Sequence, residues 1–237
     1  MAAVEKLSNY TGKLRVQSKE EQETVHETLQ EFSQYTTWRN VFAGQWEEAA
    51  RLIWPEHRNT FFYGTYNWPG QKKTDAQVDA TGMLALHRFA AICDSLLTPA
   101  NNQWHQLEAN NDQVMKDRQT RLWFDTVTRL LFKYRRNPLA NFRGQNNGNW
   151  RSLGAFGNAT MLIDAFDGRQ YHGYRGLRYK AIPLGETFYG ENHQGQVDRM
   201  IRWFRLTAYQ AAQKWGMEAL PQNLVPPLQQ KDRKSVV

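Results

Sequence analysis

The sequence predicts an α+β fold, with N-terminal helices followed by an antiparallel β meander and a short closing helix. Up to residue 156, apolar residues recur at spacings of three and four, as they do in amphipathic helices. From residue 159 to 206, short runs rich in β-branched and aromatic residues alternate with turn-forming residues, as in hairpins. Hydrophobic residues make up 41% of the 237-residue chain, enough to bury a core. Helices that precede a run of antiparallel strands indicate the α+β class.

The first predicted helix covers Lys19–Trp54 and follows the polar segment 1–18, which we expect to be frayed. Its start is rich in glutamate, which the positive end of the helix dipole favours. Gly44 is expected to divide it into two helices. Pro55 is expected to end the second of these, because the residue before a proline disfavours helical geometry. An aromatic loop with a Pro-Gly turn then leads to the next element.

The next two helices carry apolar stripes. The second helix is predicted from Thr74 to about Leu97 and ends before Pro99. Its expected buried stripe is Met83, Leu86, Ala90, Cys93 and Leu97. The third is predicted over Gln113–Arg136 and ends before Pro138. Its expected apolar face is Trp123, Val127, Leu130, Leu131 and Tyr134.

A weaker fourth helix is predicted over Leu139–Phe156, where three glycines lower the helix propensity. Four strand-like runs follow, at residues 159–166, 177–184, 186–192 and 196–206. Thr207 is a predicted N-cap of the closing helix, and Gly216 is its expected C-terminal stop.

These elements suggest four segments along the chain. They are a frayed N-terminus (1–18), a helical part (19–157), a β-rich part with the closing helix (158–225) and a tail (226–237). The last six residues, Asp232–Val237, read Asp-Arg-Lys-Ser-Val-Val, which is the translation of a common sequencing-library adapter. We therefore expect these six residues to be non-native and the natural protein to continue beyond them.

The composition limits the class of partner. A net charge of +7 and a pI near 9.5 favour an anionic partner such as nucleic acid, or arginines distributed over interfaces. Nine tryptophans also favour protein interfaces, where Trp and Arg are common anchors. Cys93 is the sole cysteine, so no internal disulfide can form, and we expect it to be a small core residue. The start lacks a signal-peptide pattern, and no apolar run approaches the ~20 residues of a membrane helix, so we expect an intracellular protein without a membrane partner.

The runs that resemble catalytic or metal-binding motifs are each incomplete, so we expect no enzyme, no cofactor and no metal. The run that begins at His26 resembles a zinc-protease motif but has Gln30 where a second histidine is needed. The run Gly185–Asn192 has the spacing of a phosphate loop, but Glu191 stands where the loop needs lysine. Five scattered acids could gather at a metal in a nuclease: Asp164, Asp167, Glu186, Glu191 and Asp198. Asp167 lies beside a glycine in a turn, where aspartate normally serves the backbone.

Positive charge concentrates between Asp112 and Arg151. This region has nine basic and three acidic side chains, a balance of +6. Its candidate nucleic-acid contacts are Lys133, Arg135, Arg136 and Arg143. Contacts of this kind bind phosphates without reading sequence and weaken with salt. The first three also lie at a helix C-terminus, where cations offset the helix dipole whatever the function.

The order of the motifs resembles the N-terminal part of the head-to-tail connecting (portal) proteins of short-tailed bacteriophages. An early helix ends in "IWP" and a later one in "LTP", with an aromatic residue shortly after. "FGNATMLID" follows, then a strand, an acidic turn with glycine, an Arg/aromatic strand and a helix opened by Thr-Ala. The resemblance covers Gln45–Leu224. It departs at Ala100, where the family often has a second proline, and this leaves the turn looser.

The resemblance implies a structural, non-enzymatic subunit of a dodecameric ring at one vertex of the virion, assembled in the host cytoplasm. Phage genomic DNA would pass through the ring during packaging and ejection, and the packaging terminase, tail adaptor and capsid proteins would bind it. The chain would be a fragment with the wing-like outer part, because the tunnel helices would lie beyond Val237. A ring subunit needs heterologous faces, and the candidate subunit contacts are Arg199, Arg202, Trp203 and Arg205. Two alternatives remain open: a basic nucleic-acid-binding protein acting through Asp112–Arg151, and a metal-dependent nuclease.

Overall fold

The computed structural model describes residues 19–62, 70–75, 77–165, 175–216 and 220. The predictions for segment 1–18, for Asp167 and for Asp232–Val237 lie outside these residues. Contacts divide the chain into two compact units. Unit 1 comprises Met1–Phe42 and Glu186–Val237, and unit 2 comprises Ala43–Gly185. The segment boundaries drawn from the sequence at residues 157 and 225 stay predictions.

The fold is α+β, as the sequence predicts. The helices are α1 (Lys19–Ile53), α2 (Thr81–Leu97), α3 (Asp112–Met115), α4 (Arg118–Arg136), α5 (Phe142–Phe156) and α6 (Ala208–Trp215). The strands are β1 (Thr160–Ala165), β2 (Leu177–Ile182), β3 (Thr187–Glu191) and β4 (Val197–Arg202). Short 3-10 helices occur at Pro55–His57, Pro138–Ala140 and Leu184–Glu186.

Helix α1 runs through Gly44 without a break, so the predicted division into two helices is wrong. A glycine in a helix interior costs only about 1 kcal/mol relative to alanine. Buried side chains before and after it, such as Phe32 and Ala50, stabilise the helix by more than this. The helix ends at Ile53, just before the Trp54-Pro55 step, as the proline predicts.

Helix α2 starts at Thr81, seven residues later than the sequence predicts. The side chain of Asp79 accepts a hydrogen bond from the Thr81 backbone N–H at 3.0 Å and so satisfies a donor of the first turn. Leu86 and Ala90 are buried, as predicted from the stripe. Leu97 is 54% exposed, so the predicted stripe is wrong at its last position.

The third predicted helix is interrupted, because Asp117 caps a new helix within it. The Asp117 carboxylate accepts from the Thr120 backbone N–H at 2.9 Å, and α4 begins at Arg118. The predicted apolar face of α4 is also wrong. The buried residues are Thr128 and Phe132, whereas three members of the predicted face are exposed: Trp123 by 61%, Leu130 by 43% and Tyr134 by 39%.

A hydroxyl explains the inverted face of α4. Thr128 donates to the Phe124 carbonyl at 2.8 Å and accepts from the Leu107 backbone N–H at 3.1 Å. A polar residue can be buried at little cost when its hydrogen bonds are made. The Thr128 hydroxyl therefore fastens the extended segment around Leu107 to the inner face of the helix.

Glycine allows α5 to pack closely against α2. A Cβ at Gly154 would lie 2.7 Å from the ring of Phe89 and 3.0 Å from the side chain of Leu86. Gly154, one of the three glycines that weaken the sequence signal for this helix, therefore allows its close contact with α2. Gly157, in the left-handed region at φ 75°, ends the helix.

The strands pair as two antiparallel hairpins, β1–β2 and β3–β4, and not as one continuous meander within the described residues. Thr160 pairs with Ile182 in the first hairpin, and Thr187 pairs with Arg202 in the second. The chain leaves β2 through the 3-10 helix at Leu184–Glu186, where Leu184 is buried. This helical turn interrupts the extended backbone that a continuous meander would need.

Helix α6 is capped as the sequence predicts. Thr207 and Gln210 form a reciprocal capping box, and Gly216 follows the helix with φ 85°. No helix in the described parts of the chain combines the length and the apolar character that a membrane crossing requires.

Each unit has its own aromatic core. In unit 1, Phe32 meets Phe188 edge to face at 4.7 Å, and the buried guanidinium of Arg39 lies 4.5 Å from the Phe188 ring. Burial lowers the pKa of Arg39 to about 10. In unit 2, Trp54 stacks on Phe156 at 5.9 Å, and Phe61 meets the same ring edge to face.

Candidate binding surfaces

The C-terminal end of α4 brings together the four cations predicted to contact nucleic acid. Lys133, Arg135 and Arg136 occupy its last turn, and Arg143 lies in the first turn of α5. The 3-10 helix Pro138–Ala140 and the left-handed residue Asn141, at φ 51°, turn the chain between the two helices. Lys133, Arg136 and Arg143 are exposed, whereas Arg135 is half-buried.

Arg135 is held inside unit 2 by its own chain. Its guanidinium lies 5.1 Å from the Trp104 ring centre and 5.8 Å from that of Phe142. It donates to the Tyr179 hydroxyl at 3.2 Å and to a ring nitrogen of His105 at 3.0 Å. Such a cation is a packing element that joins α4 to β2, and its remaining capacity to bind phosphate is small.

The lowered pKa of His105 favours its contact with Arg135. Desolvation, and then the nearby charge of Arg135, lower the pKa of its imidazole. A neutral ring keeps a nitrogen lone pair that can accept the arginine N–H. The pair therefore holds the positive charge on the arginine.

A cavity of about 490 Å³ opens beside Arg135. Its walls are aromatic and basic, and they include Trp104, Phe132, Arg136, Phe142 and Arg143. The Trp104 and Phe142 rings are stacked 6.2 Å apart. Apolar walls with cations at the edge suit a ligand that carries a negative charge on a flat or apolar body.

A second, shallower cavity of about 560 Å³ lies on the other side of Arg136. Its lining includes the exposed cations Arg129 and Lys133. No described acidic residue lines either cavity. Arg129 belongs to the basic region identified from the sequence but was not among the four predicted nucleic-acid contacts. Its spacing of four from Lys133 on a helix indicates a shared face.

Two of the four predicted subunit contacts make ion pairs within unit 1. Arg199 on β4 pairs with Glu31 on α1. Arg202 donates to one carboxylate oxygen of Glu186 from Nε at 2.9 Å and from the terminal nitrogen at 2.7 Å. Its guanidinium also lies 4.3 Å from the Phe204 ring, and its side chain is only 17% exposed. Arg202 therefore stabilises the β3–β4 hairpin directly.

The other two predicted subunit contacts lie just after β4. The Trp203 backbone N–H donates to the Glu186 carbonyl at 2.8 Å and fixes the exit of the chain from the strand. Arg205 is exposed and lies 5.2 Å from the Trp203 ring centre. This Arg–Trp pair presents the kind of surface that anchors protein interfaces.

The exposure of two apolar faces was not predicted from the sequence. One is the outer face of α4 around Trp123. The other is on α1, where Trp38 is 59% and Val41 is 75% exposed. The spacing of these residues was visible in the sequence, but a spacing of three and four does not say which stripe faces the core.

Two of the scattered acids that suggested a nuclease have partners in the described part of the chain. Glu186 pairs with Arg202, and the Asp164 carboxylate accepts from the backbone N–H of Ala165 at 2.8 Å. Among the described residues, no three His, Cys, Asp or Glu side chains lie close enough to hold one metal ion.

The described surfaces present exposed arginines together with exposed aromatic residues. Residues 25–236 match the family model described as bacteriophage head to tail connecting protein. Since this match covers most of the chain, the protein belongs to that family.

Two curated phage proteins are similar to this chain. A probable portal protein of Bordetella phage BPP-1 is 25% identical over 191 residues, which is 80% of this chain and 32% of that protein. The portal protein of Salmonella phage epsilon15 is 24% identical over 193 residues, again 80% of this chain and 32% of that protein. The chain thus spans about a third of the length of the curated relatives it matches.

Proposed function

We propose that this chain is part of a structural subunit of a phage portal, the head–tail connector ring through which genomic DNA is packaged and ejected. The observation that carries the proposal is the family match over residues 25–236, together with two relatives that are named as portal proteins. The chain corresponds to about a third of those relatives, so the ring and its DNA channel are properties of the longer protein.

Rigid local structure and exposed contact residues support the role in assembly. The β3–β4 hairpin is fixed by the Arg202–Glu186 pair, and Arg205 with Trp203 lies next to it. Subunits of a closed ring need preorganised faces, because residues that are already ordered lose little entropy on association. Arg199, Arg202, Trp203 and Arg205 remain our proposed contact region between subunits, with Arg205 and Trp203 as the direct contacts.

The proposed location is the portal vertex of the virion, after assembly in the host cytoplasm. The proposed partners are other copies of the subunit, the genomic DNA, the packaging terminase, and the tail adaptor and capsid proteins. No cofactor or catalytic centre is needed for this role, since a ring of this kind acts by shape and binding.

The experiment is to recover the intact gene and to measure the mass of its purified product by mass photometry and negative-stain electron microscopy. We expect closed rings, with about twelve copies as the size that the family resemblance implies. A product that stays monomeric at micromolar concentration would contradict the proposal. Arg205→Ala should reduce the fraction of rings, while Arg88→Ala, on the exposed surface of α2, serves as the matched control.

A second candidate function is nucleic-acid binding, and the clustering of exposed cations around two cavities favours it. Lys133, Arg136 and Arg143 are the proposed phosphate contacts. Each contact should contribute about 0.9 to the slope of log K against log salt concentration for duplex DNA. Lys133→Ala/Arg136→Ala/Arg143→Ala should therefore flatten the slope by about 3 in fluorescence anisotropy.

Arg135 is left unchanged in this test because its loss would disturb the packing of Trp104 and Tyr179. The matched control is a variant that removes three exposed arginines elsewhere, Arg51→Ala/Arg88→Ala/Arg178→Ala. Equal salt slopes for the triple variant and the control would exclude this surface as the nucleic-acid site.

A further inference from the structure

We propose that the outer face of α4 in one copy of the protein packs against an acidic face of α1 in a second copy. The inference rests on the proposed assembly function and names the two surfaces that meet. Both faces carry exposed apolar residues flanked by charges, and the charges of the two faces are of opposite sign.

The outer face of α4 has the periodicity of a helix–helix contact but is exposed. Trp123, Val127, Leu130 and Tyr134 recur at spacings of four, three and four. Phe132 and Thr128 are buried on a different side of the same helix. An amphipathic stripe that its own chain leaves exposed commonly marks a surface for a partner.

A basic row runs beside this apolar stripe. Arg129 and Lys133 lie four residues apart and are exposed. Neither side chain makes a hydrogen bond or an ion pair with the parts of the chain that the structure describes. Over Arg118–Arg136 the formal charge is +5, from six basic residues and Asp125. A partner for this face therefore needs negative charge beside apolar contacts.

The first half of α1 offers that combination. Glu20, Glu23, Glu27, Gln34, Trp38 and Val41 lie along one line of the helix, at spacings that are combinations of three and four. The buried residues Phe32 and Tyr35 lie on a different side. Residues 19–34 carry a formal charge of −4, from five glutamates and Lys19.

The spacing along the two helices also matches when they run antiparallel. In α1, eleven residues separate Glu27 from Trp38, and in α4 ten separate Trp123 from Lys133. At 1.5 Å per residue, these separations are about 16 Å and about 15 Å. Trp38 can therefore meet the Trp123 end of the stripe while Glu27 lies opposite Lys133 and Glu23 lies near Arg136.

This pairing has a symmetry consequence. The two faces lie on different elements of the same chain, so each copy offers one face to each of two neighbours. A contact of this heterologous kind generates rings when the rotation closes and filaments when it does not.

Charge reversal tests the pairing directly. Variant A carries Glu23→Lys and Glu27→Lys, and variant B carries Arg129→Glu and Lys133→Glu. Each variant alone places like charges opposite each other. In an equimolar mixture every contact between A and B regains opposite charges, so the mixture is a compensating rescue. Arg88→Glu/Arg178→Glu is the matched control, because it reverses two exposed arginines on other elements of unit 2.

The 237-residue chain is measured by sedimentation velocity over about 1–100 μM, a range that brackets weak specific interfaces. We expect the wild type and the control to associate, and A and B each to need at least about tenfold higher concentration for half-association. We expect the mixture to recover wild-type association. Circular dichroism checks that A and B are folded.

The proposal is overturned if the wild-type chain stays monomeric, if A and B associate like the wild type, or if their mixture shows no recovery. A monomer whose α4 face binds duplex DNA, with loss of binding in B alone, would assign the face to nucleic acid and also overturn it. If the protein from the intact gene forms rings both as wild type and with the substitutions of A or of B, this pairing is excluded while the portal function stands. A monomeric intact wild type would remove the portal function itself.

Discussion

His57 makes the stability of unit 2 depend on pH. Its ring lies 4.0 Å from the Trp54 ring centre and 5.9 Å from that of Phe156. Desolvation in this aromatic site lowers the pKa of His57 from 6.5 to about 4; Glu56 opposes the shift, and Lys73 and Arg151 add to it. Since the folded pKa lies below the unfolded one, the unfolded chain binds a proton more readily. The free energy of unfolding is therefore full above pH 6.5 and falls as the pH drops toward 4.

The size of the effect follows from the two pKa values. A gap of about 2.5 between them corresponds to about 3.4 kcal/mol once both states are protonated. Between pH 7.5 and pH 4.5, the linkage relation gives a loss of about 2.5 kcal/mol from this one group.

The assay is urea unfolding at these two pH values for the wild type and for His57→Gln. The variant should lose less stability than the wild type on acidification, by about 2.5 kcal/mol, because it carries no titrating group at this site. His87→Gln, at an exposed position of α2, is the matched control and should keep the wild-type pH dependence. Identical losses in the wild type and His57→Gln, or an NMR titration of His57 near pH 6.5, would refute the reasoning.

Four more predictions concern stability, each measured by urea unfolding at pH 7.5. Gly44→Ala should raise the free energy of unfolding by about 1 kcal/mol, because no atom lies within 4 Å of its new methyl group; a loss would contradict this. Gly185→Ala should lower it by about 1–3 kcal/mol, because its Cβ would lie 2.7 Å from the Thr60 carbonyl oxygen; an unchanged value would argue against that close approach. Arg202→Ala should cost about 1–3 kcal/mol without rescue by Arg202→Lys, which cannot reproduce the two-nitrogen contact; full rescue would count against it. Thr207→Ala should cost about 1 kcal/mol and Thr207→Ser much less, and equal losses would show that the cap is not responsible.

Features set by neighbouring residues were predictable from the sequence. Thr207 and Gln210 are three residues apart, so their capping box could be expected from spacing alone. The end of α1 before Pro55 is equally local. The β-rich runs are confirmed as strands, but their pairing into two hairpins depends on the buried turn at Leu184, which local propensity does not encode.

The burial of α4 could not be predicted, because it depends on residues far away in sequence. Thr128 is buried through a hydrogen bond from Leu107, 21 residues earlier. A hydropathy pattern predicts that Trp123 faces the core and that a threonine does not.

The candidate site shows the same limit. The density of positive charge along the sequence was sufficient to predict the cluster of Lys133, Arg136 and Arg143. Charge density could not predict that Arg135 differs from these three residues. Its hydrogen-bond partner Tyr179 lies 44 residues away in the sequence.

The hydroxyl of Thr128 has an architectural consequence for the helix that carries it. Together with Arg135, it holds α4 to the rest of its chain through hydrogen bonds. Few of the helix's large apolar residues are therefore needed for this attachment. The rings of Trp123 and Tyr134 are therefore available for contact with another molecule. In this helix a polar group is buried against the rest of the chain while two aromatic side chains are exposed, which reverses the usual allocation of the two kinds of side chain.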